Sequence, residues 1–194
     1  MRMNRRAAVF SQLQRAIIYD SFDRADASTL GDADSGQTWI DGNGKIVSNQ
    51  AMLRSTQKYE RIRPGSIYDV SVEADIIYNG VDCGLIARCL NFTDYAVYFY
   101  ASSGANVIIN QVYGGSTHCV GIASFTWASG DTHHMRLSCY GNSVAGYVDG
   151  TLLCSGAINA SLASKPHVGL YAVEASSSTV TKYDNFMVKQ IFGI

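Results

Sequence analysis

The sequence predicts an all-β protein built from two packed antiparallel sheets, and three observations carry that expectation. The 194-residue chain holds three Glu and five Lys against 18 Gly and 12 Tyr, so strong helix formers are scarce and strand and turn formers abundant. Beyond the first eighteen residues, apolar side chains recur with a period of two. Turn-forming pairs cut these alternating runs at short intervals. Around ten such runs in one domain are too many for a single flat sheet, so two sheets must face each other.

The elements follow in chain order. Residues 1–18 read as a basic N-terminal arm, because Arg2, Arg5, Arg6 and Arg15 precede the first acid, Asp20. Phe10, Leu13 and Ile17 recur at helical spacing beside Val9, which suits a short amphipathic helix or an extended docking segment. The stretch Ala7-Ala8-Val9-Phe10 is cut at once by Ser11-Gln12 and falls short of the roughly 7–15 apolar residues of a secretion signal. The body, 19–194, is one domain with strands expected near 45–55, 67–78, 82–90, 94–101, 105–113, 117–125, 132–140, 143–149, 151–155, 167–174 and 179–189. Tyr68, Val70, Val72, Ala74 and Ile76 alternating with Asp69, Ser71, Glu73 and Asp75 mark a strand with one face on a core. Asp41-Gly42-Asn43-Gly44, Asn79-Gly80, Gly114-Gly115, Gly141-Asn142 and Asp149-Gly150 supply the turns.

A net charge of −1 provides no field for holding nucleic acid or an anionic membrane, and no run approaches the roughly 20 apolar residues of a membrane span. Neither nucleic-acid binding nor membrane insertion is expected. Cys83, Cys89, Cys119, Cys139 and Cys154 contain no C-x-x-C pair and no zinc-finger spacing. Their odd number and apolar surroundings favour reduced thiols in a reducing cytoplasm over a disulfide.

Asp20-Ser21-Phe22-Asp23-Arg24-Ala25-Asp26, then Leu30-Gly31, then Gly36-Gln37-Thr38-Trp39, resembles the opening of concanavalin A-like (laminin G-like) jelly-roll domains. Cys83-Gly84-Leu85-Ile86-Ala87-Arg88 with Asp94-Tyr95-Ala96-Val97-Tyr98, Tyr140-Gly141-Asn142-Ser143 through Tyr147-Val148-Asp149-Gly150, and Val168-Gly169-Leu170 with Tyr183-Asp184-Asn185-Phe186-Met187-Val188 are similar to three later motifs of that family. The resemblance spans residues 20–189 and implies a two-sheet antiparallel β-sandwich of jelly-roll type. The opening motif is also similar to the one that introduces this domain in minor tail and other virion proteins of tailed bacteriophages. That similarity implies a non-enzymatic virion structural protein, a tail or capsid-surface component made in the host bacterial cytoplasm. Its expected partners are other virion proteins, host-surface glycans and further copies of itself in a homo-oligomer. A free carbohydrate-binding lectin is the alternative, and a glycoside hydrolase a more distant one.

The chemistry-bearing candidates divide accordingly. Glu73-Ala74-Asp75-Ile76-Ile77-Tyr78 is similar to the E-x-D-x-x-E strand of retaining glucanases of this fold, but Tyr78 replaces the second glutamate. Double displacement needs two carboxyl groups about 5 Å apart, so no catalytic residue is assigned and Glu73 is read as a polar residue on a solvated strand face. His133 and His134, adjacent on a strand, point to opposite faces and cannot chelate one ion together. Calcium is the one cofactor entertained, through Asp20, Asp23 and Asp184 if the first and last strands pair. Glycan contacts are expected from Tyr95, Tyr98, Tyr100, Tyr113, Trp127 and Arg88, since pyranose rings stack on aromatics. Arg5, Arg6, Phe10, Leu13 and Ile17 are expected to dock the arm into the assembly.

Overall fold

The computed structural model describes residues 14–53, 59–102, 105–173 and 181–192. Within them the chain forms strands β1 (Gln14–Asp20), β2 (Gly44–Ile46), β3 (Ala51–Leu53), β4 (Tyr59–Ile62), β5 (Val70–Ile77), β6 (Cys83–Asn91) and β7 (Tyr95–Ser102). They continue as β8 (Asn106–Tyr113), β9 (Ser116–Ser124), β10 (Thr132–Tyr140), β11 (Ser143–Val148), β12 (Thr151–Ala157), β13 (His167–Ala172) and β14 (Lys182–Ile191). One 3-10 turn, Ala160–Leu162, is capped by the Asn159 side chain.

Two antiparallel sheets form the predicted sandwich. The first has eight strands in the order β12-β11-β10-β5-β14-β3-β2, with β1 also paired to β14; the second has six in the order β4-β13-β6-β7-β8-β9. One edge of β14 serves two neighbours, with Lys182 and Tyr183 pairing to β3 and Phe186 to Ile191 pairing to β1. Asn185, at φ 50, sits in the irregularity that separates the two stretches.

Strand periodicity decides what lies between the sheets. In β5, Val70, Val72, Ala74 and Ile76 enter the inter-sheet core; in β7, Val97, Phe99 and Ala101 do, while Ala96, Tyr98 and Tyr100 turn to the outer surface of the six-stranded sheet.

The opening motif is a structural knot. The fully buried Asp20 carboxylate accepts the Trp39 indole N–H at 2.8 Å, the Phe22 amide at 3.0 Å and a bidentate Arg24 pair at 2.6 and 3.0 Å. Trp39 in turn packs on Phe22 and Phe186, which fastens the chain start to β14. On β4, the buried Glu60 carboxylate accepts backbone N–H groups from Asp41, Gly42, Asn43 and Gly44 at 2.6–3.1 Å. Burial pushes its carboxyl up while those amides pull it back.

Three sequence expectations change here. The predicted strand 45–55 is a hairpin, because Ser48 and Asn49 adopt positive φ and turn the chain between β2 and β3. Strand β4 was not foreseen. Strand β1 starts at Gln14 and so crosses the expected boundary at residue 18; Ile17 is half-buried against the core of the sandwich and is not free to dock elsewhere. Arg5, Arg6, Phe10 and Leu13 lie outside the described residues.

Candidate functional site

The outer surface of the six-stranded sheet gathers five aromatic residues that the sandwich core does not use. Tyr98 and Tyr100 project from β7, Tyr171 from β13 and Tyr59 from β4, and Phe92 reaches over them from the β6–β7 turn. Ring centroids are 5.2 Å apart for Tyr59–Phe92, 5.2 Å for Phe92–Tyr171, 5.0 Å for Phe92–Tyr98, 5.1 Å for Tyr98–Tyr171 and 5.3 Å for Tyr98–Tyr100. The five rings make one continuous patch. Mutual packing leaves Tyr98 at 6% and Tyr100 at 9% exposure, with Tyr59 and Phe92 half-buried above them.

Polar atoms line one flank of the patch. The half-buried Asn110 of β8 donates its side-chain N–H groups to the hydroxyls of Tyr98 and Tyr100, both at 3.3 Å. Desolvation, with Tyr98 and Asp82 nearby, pushes the Tyr100 hydroxyl up to about 12, and the same effects raise Tyr171 further. Both stay protonated donors at any physiological pH. On the opposite flank Arg61 lies 5.3 Å from the Tyr59 ring centroid and forms a two-point ion pair with Asp41 at 2.6 and 2.8 Å. The Glu60 cradle fixes the loop that carries Asp41. Chemically the face offers flat apolar rings beside an amide and neutral hydroxyls, and its Arg61 guanidinium is internally paired with Asp41.

Of the expected glycan residues, only Tyr98 and Tyr100 belong to this face. Tyr95 lies three positions from Tyr98 on the same strand, so it points to the other side; it packs against the core with Lys165 Nζ 4.0 Å from its ring centroid. Tyr113 stacks on His118 at 4.4 Å near the β8–β9 turn. Trp127 is a core residue packed on Tyr78, Phe125 and His133. Arg88 is 1% exposed, at φ 50 in a β6 irregularity, and donates to the carbonyls of Tyr68, Ala163 and Gly141 and to Asp69. It is an internal clamp, so Trp127 and Arg88 are corrected to structural roles, and Tyr95 and Tyr113 lie off the aromatic face. Tyr59, Phe92, Asn110 and Tyr171 were missed. Strand parity alone would have separated Tyr95 from Tyr98 and Tyr100, but nothing local announces that β13 lies between β4 and β6.

The calcium set does not assemble as expected, although β1 and β14 do pair. Asp20 is spent on Arg24 and Trp39 inside the core. Asp184 instead has Asp75 and Asp23 as neighbours, and burial and those carboxylates raise it. Among the described residues no group of three or more His, Cys, Asp or Glu is placed to hold a metal ion.

Glu73 lies on the outer face of the eight-stranded sheet, on the other side of the molecule from the aromatic patch. It is buried rather than solvated, bonded to Lys189 at 2.7 Å and Ser71 at 3.0 Å, with the His134 ring 3.5 Å away. Burial alone would raise its carboxyl, but these partners hold it down at about 2. His133 and His134 pair separately, with Asp149 at 2.6 Å and Asp75 at 2.7 Å. All five cysteines are free thiols, and Cys119 alone is exposed.

No protein-family model and no curated protein sequence matches the chain. Solved structures do. The carbohydrate-binding module CBM66 from Bacillus subtilis is similar over 80% of this chain and 89% of its own, with a TM-score of 0.55 and 16% identity. An endo-β-1,3-glucanase from Pyrococcus furiosus is similar over 96% and 98%, with a TM-score of 0.61 and 13% identity. A Bacillus subtilis protein of unknown function with a galectin-like fold matches over 92% and 98%, with a TM-score of 0.61 and 11% identity. At such identities the likeness shows the fold: a jelly-roll β-sandwich consistent with the concanavalin A-like class.

Proposed function

We propose that the outer face of the six-stranded sheet binds carbohydrate and that the protein is a non-enzymatic binding domain. The observation that carries this reading is the five-ring patch beside the Asn110–Tyr98–Tyr100 amide and hydroxyl group, which pairs stacking surface with hydroxyl-matching polar atoms. A carbohydrate-binding module and a glucanase among the similar folds support the substrate class. The position of Glu73, ion-paired on the far side of the molecule, supports binding over hydrolysis.

A screen of neutral and acidic glycans by titration calorimetry tests the reading. Asn110→Ala and Tyr100→Phe keep the rings packed and should weaken binding by about 1–2 kcal/mol each, the usual worth of a lost hydrogen bond to a ligand. Absence of binding to any glycan, or binding indifferent to both substitutions, would sink it.

The setting proposed is a virion, on the likeness of Asp20–Asp26 and Gly36–Trp39 to the opening motif of phage tail proteins, with the arm docking to neighbouring virion proteins. Mass spectrometry of purified particles tests this. A truncation that probes the arm should stop at residue 13, because Gln14 begins a sheet strand.

A further inference from the structure

The two sheets end side by side along one flank of the sandwich, where β9 closes the six-stranded sheet and β12 the eight-stranded one. Val120 approaches Gly156, and Cys154 approaches Gly121, so the two strands pack against each other. Together they read Ser-Thr-His-Cys-Val-Gly-Ile-Ala-Ser and Thr-Leu-Leu-Cys-Ser-Gly-Ala, without one Asp, Glu, Lys, Arg or Pro. Ser116 to Cys119 are exposed, Ile122 is 59% exposed and Leu152 39%. The opposite flank differs: Lys45 lies on β2, Glu60 and Arg61 on β4 and Arg15 on β1. Edge strands ordinarily carry charge or proline to prevent strand addition, and this flank carries neither.

We infer that this flank joins two copies of the chain in a twofold dimer, β9 running antiparallel to its counterpart. The occupant follows from charge. A twofold antiparallel contact sets residue i of one copy against residue j of the other and j against i, and with no formal charge on β9 or β12 no register of that pairing brings like charges together. Backbone N–H and C=O groups on the free side of β9 find partners in the same row of the second copy. Nine residues span about 30 Å and the paired edges about 15 Å, so the contact covers roughly 450 Å² per copy and about 900 Å² in total. That is below the roughly 1,000 Å² of a stable interface, so the dimer is a weak, concentration-dependent one. On the carbohydrate-binding reading, such a dimer turns both aromatic faces toward one surface and adds avidity; the dimer itself does not depend on that reading.

Sedimentation velocity of the full-length protein, in reductant to keep Cys119 out of disulfides, decides the matter over about 1 to 200 µM. A monomer–dimer equilibrium is expected, weakened roughly tenfold or more by Ile122→Lys, with Thr117→Lys as the second variant should the first fail to fold. Leu90→Lys, at an exposed apolar residue elsewhere, should leave it unchanged. A protein monomeric throughout overturns the proposal and leaves the flank to another occupant, such as residues 1–13. So does a folded β9 lysine variant that dimerises as tightly as the parent, or a dimer lost on Leu90→Lys.

Discussion

Glu73→Gln separates a structural carboxylate from a catalytic one. The side chain is nearly buried between Lys189, Ser71 and His134, and its carboxyl is held at about 2 in place of an ordinary 4.5. That difference corresponds to about 3 kcal/mol of folding stability at neutral pH. Because the folded carboxyl is depressed, the contribution is present above 4.5 and disappears as pH falls toward 2. Lys189 is 28% exposed and can turn into water once its partner is gone, so the substitution should cost about 2 kcal/mol at pH 7. His134 works in the opposite sense. Its ring is raised above 6.5 by Glu73 and Asp75, so its contribution is present at lower pH and lost as pH rises through that raised value. Urea unfolding followed by the fluorescence of the buried Trp39 and Trp127 reads both effects. Parent and variant should differ by about 2 kcal/mol at pH 7 and converge only as pH falls to about 2. A variant as stable as the parent at pH 7, or one equally destabilised at both pH values, would refute the reasoning.

Other perturbations test the remaining structural assignments. Arg88→Met leaves the carbonyls of Tyr68 and Ala163 without their buried donor and should cost about 3–5 kcal/mol in chemical denaturation; a loss confined to ligand binding would restore Arg88 to the glycan set. Gly84→Ala places a Cβ 2.0 Å from the Phe99 carbonyl oxygen, where two strand backbones meet, and should yield insoluble or unfolded protein on expression. In a native thiol titration with a disulfide reagent at pH 8, Cys119 alone should react quickly. Burial pushes Cys83 and Cys154 up to about 12 and Cys139 to about 11, and all three should react only on unfolding.

Alternation and turn chemistry are local, and the sequence by itself therefore determined most of the strand list. Thr132–Tyr140 matches its expectation residue for residue, and Asn106–Tyr113 and Ser116–Ser124 fall within one residue of theirs. The same pattern placed Val70, Val72, Ala74 and Ile76 in the core. Strand β4 escaped because four residues show too few periods to register, and β1 because Phe10, Leu13 and Ile17 mimic a helical repeat that its pairing with β14 overrides. Side-chain parity says only that Tyr98 and Tyr100 share a face; it does not say that Tyr171, more than seventy residues on, lies 5.1 Å from Tyr98. That neighbourhood arises because β13 inserts between β4 and β6, an ordering fixed by how two apolar faces close over one core. Aspartate chemistry shows the same division. The sequence placed Asp20 near the last strand, but only burial beside Arg24 and Trp39 decided that its charge is spent on holding the fold. The sequence thus specified most of the strands, and the tertiary structure alone chose which residues meet, because long-range sheet order is set by packing energy that no local pattern contains.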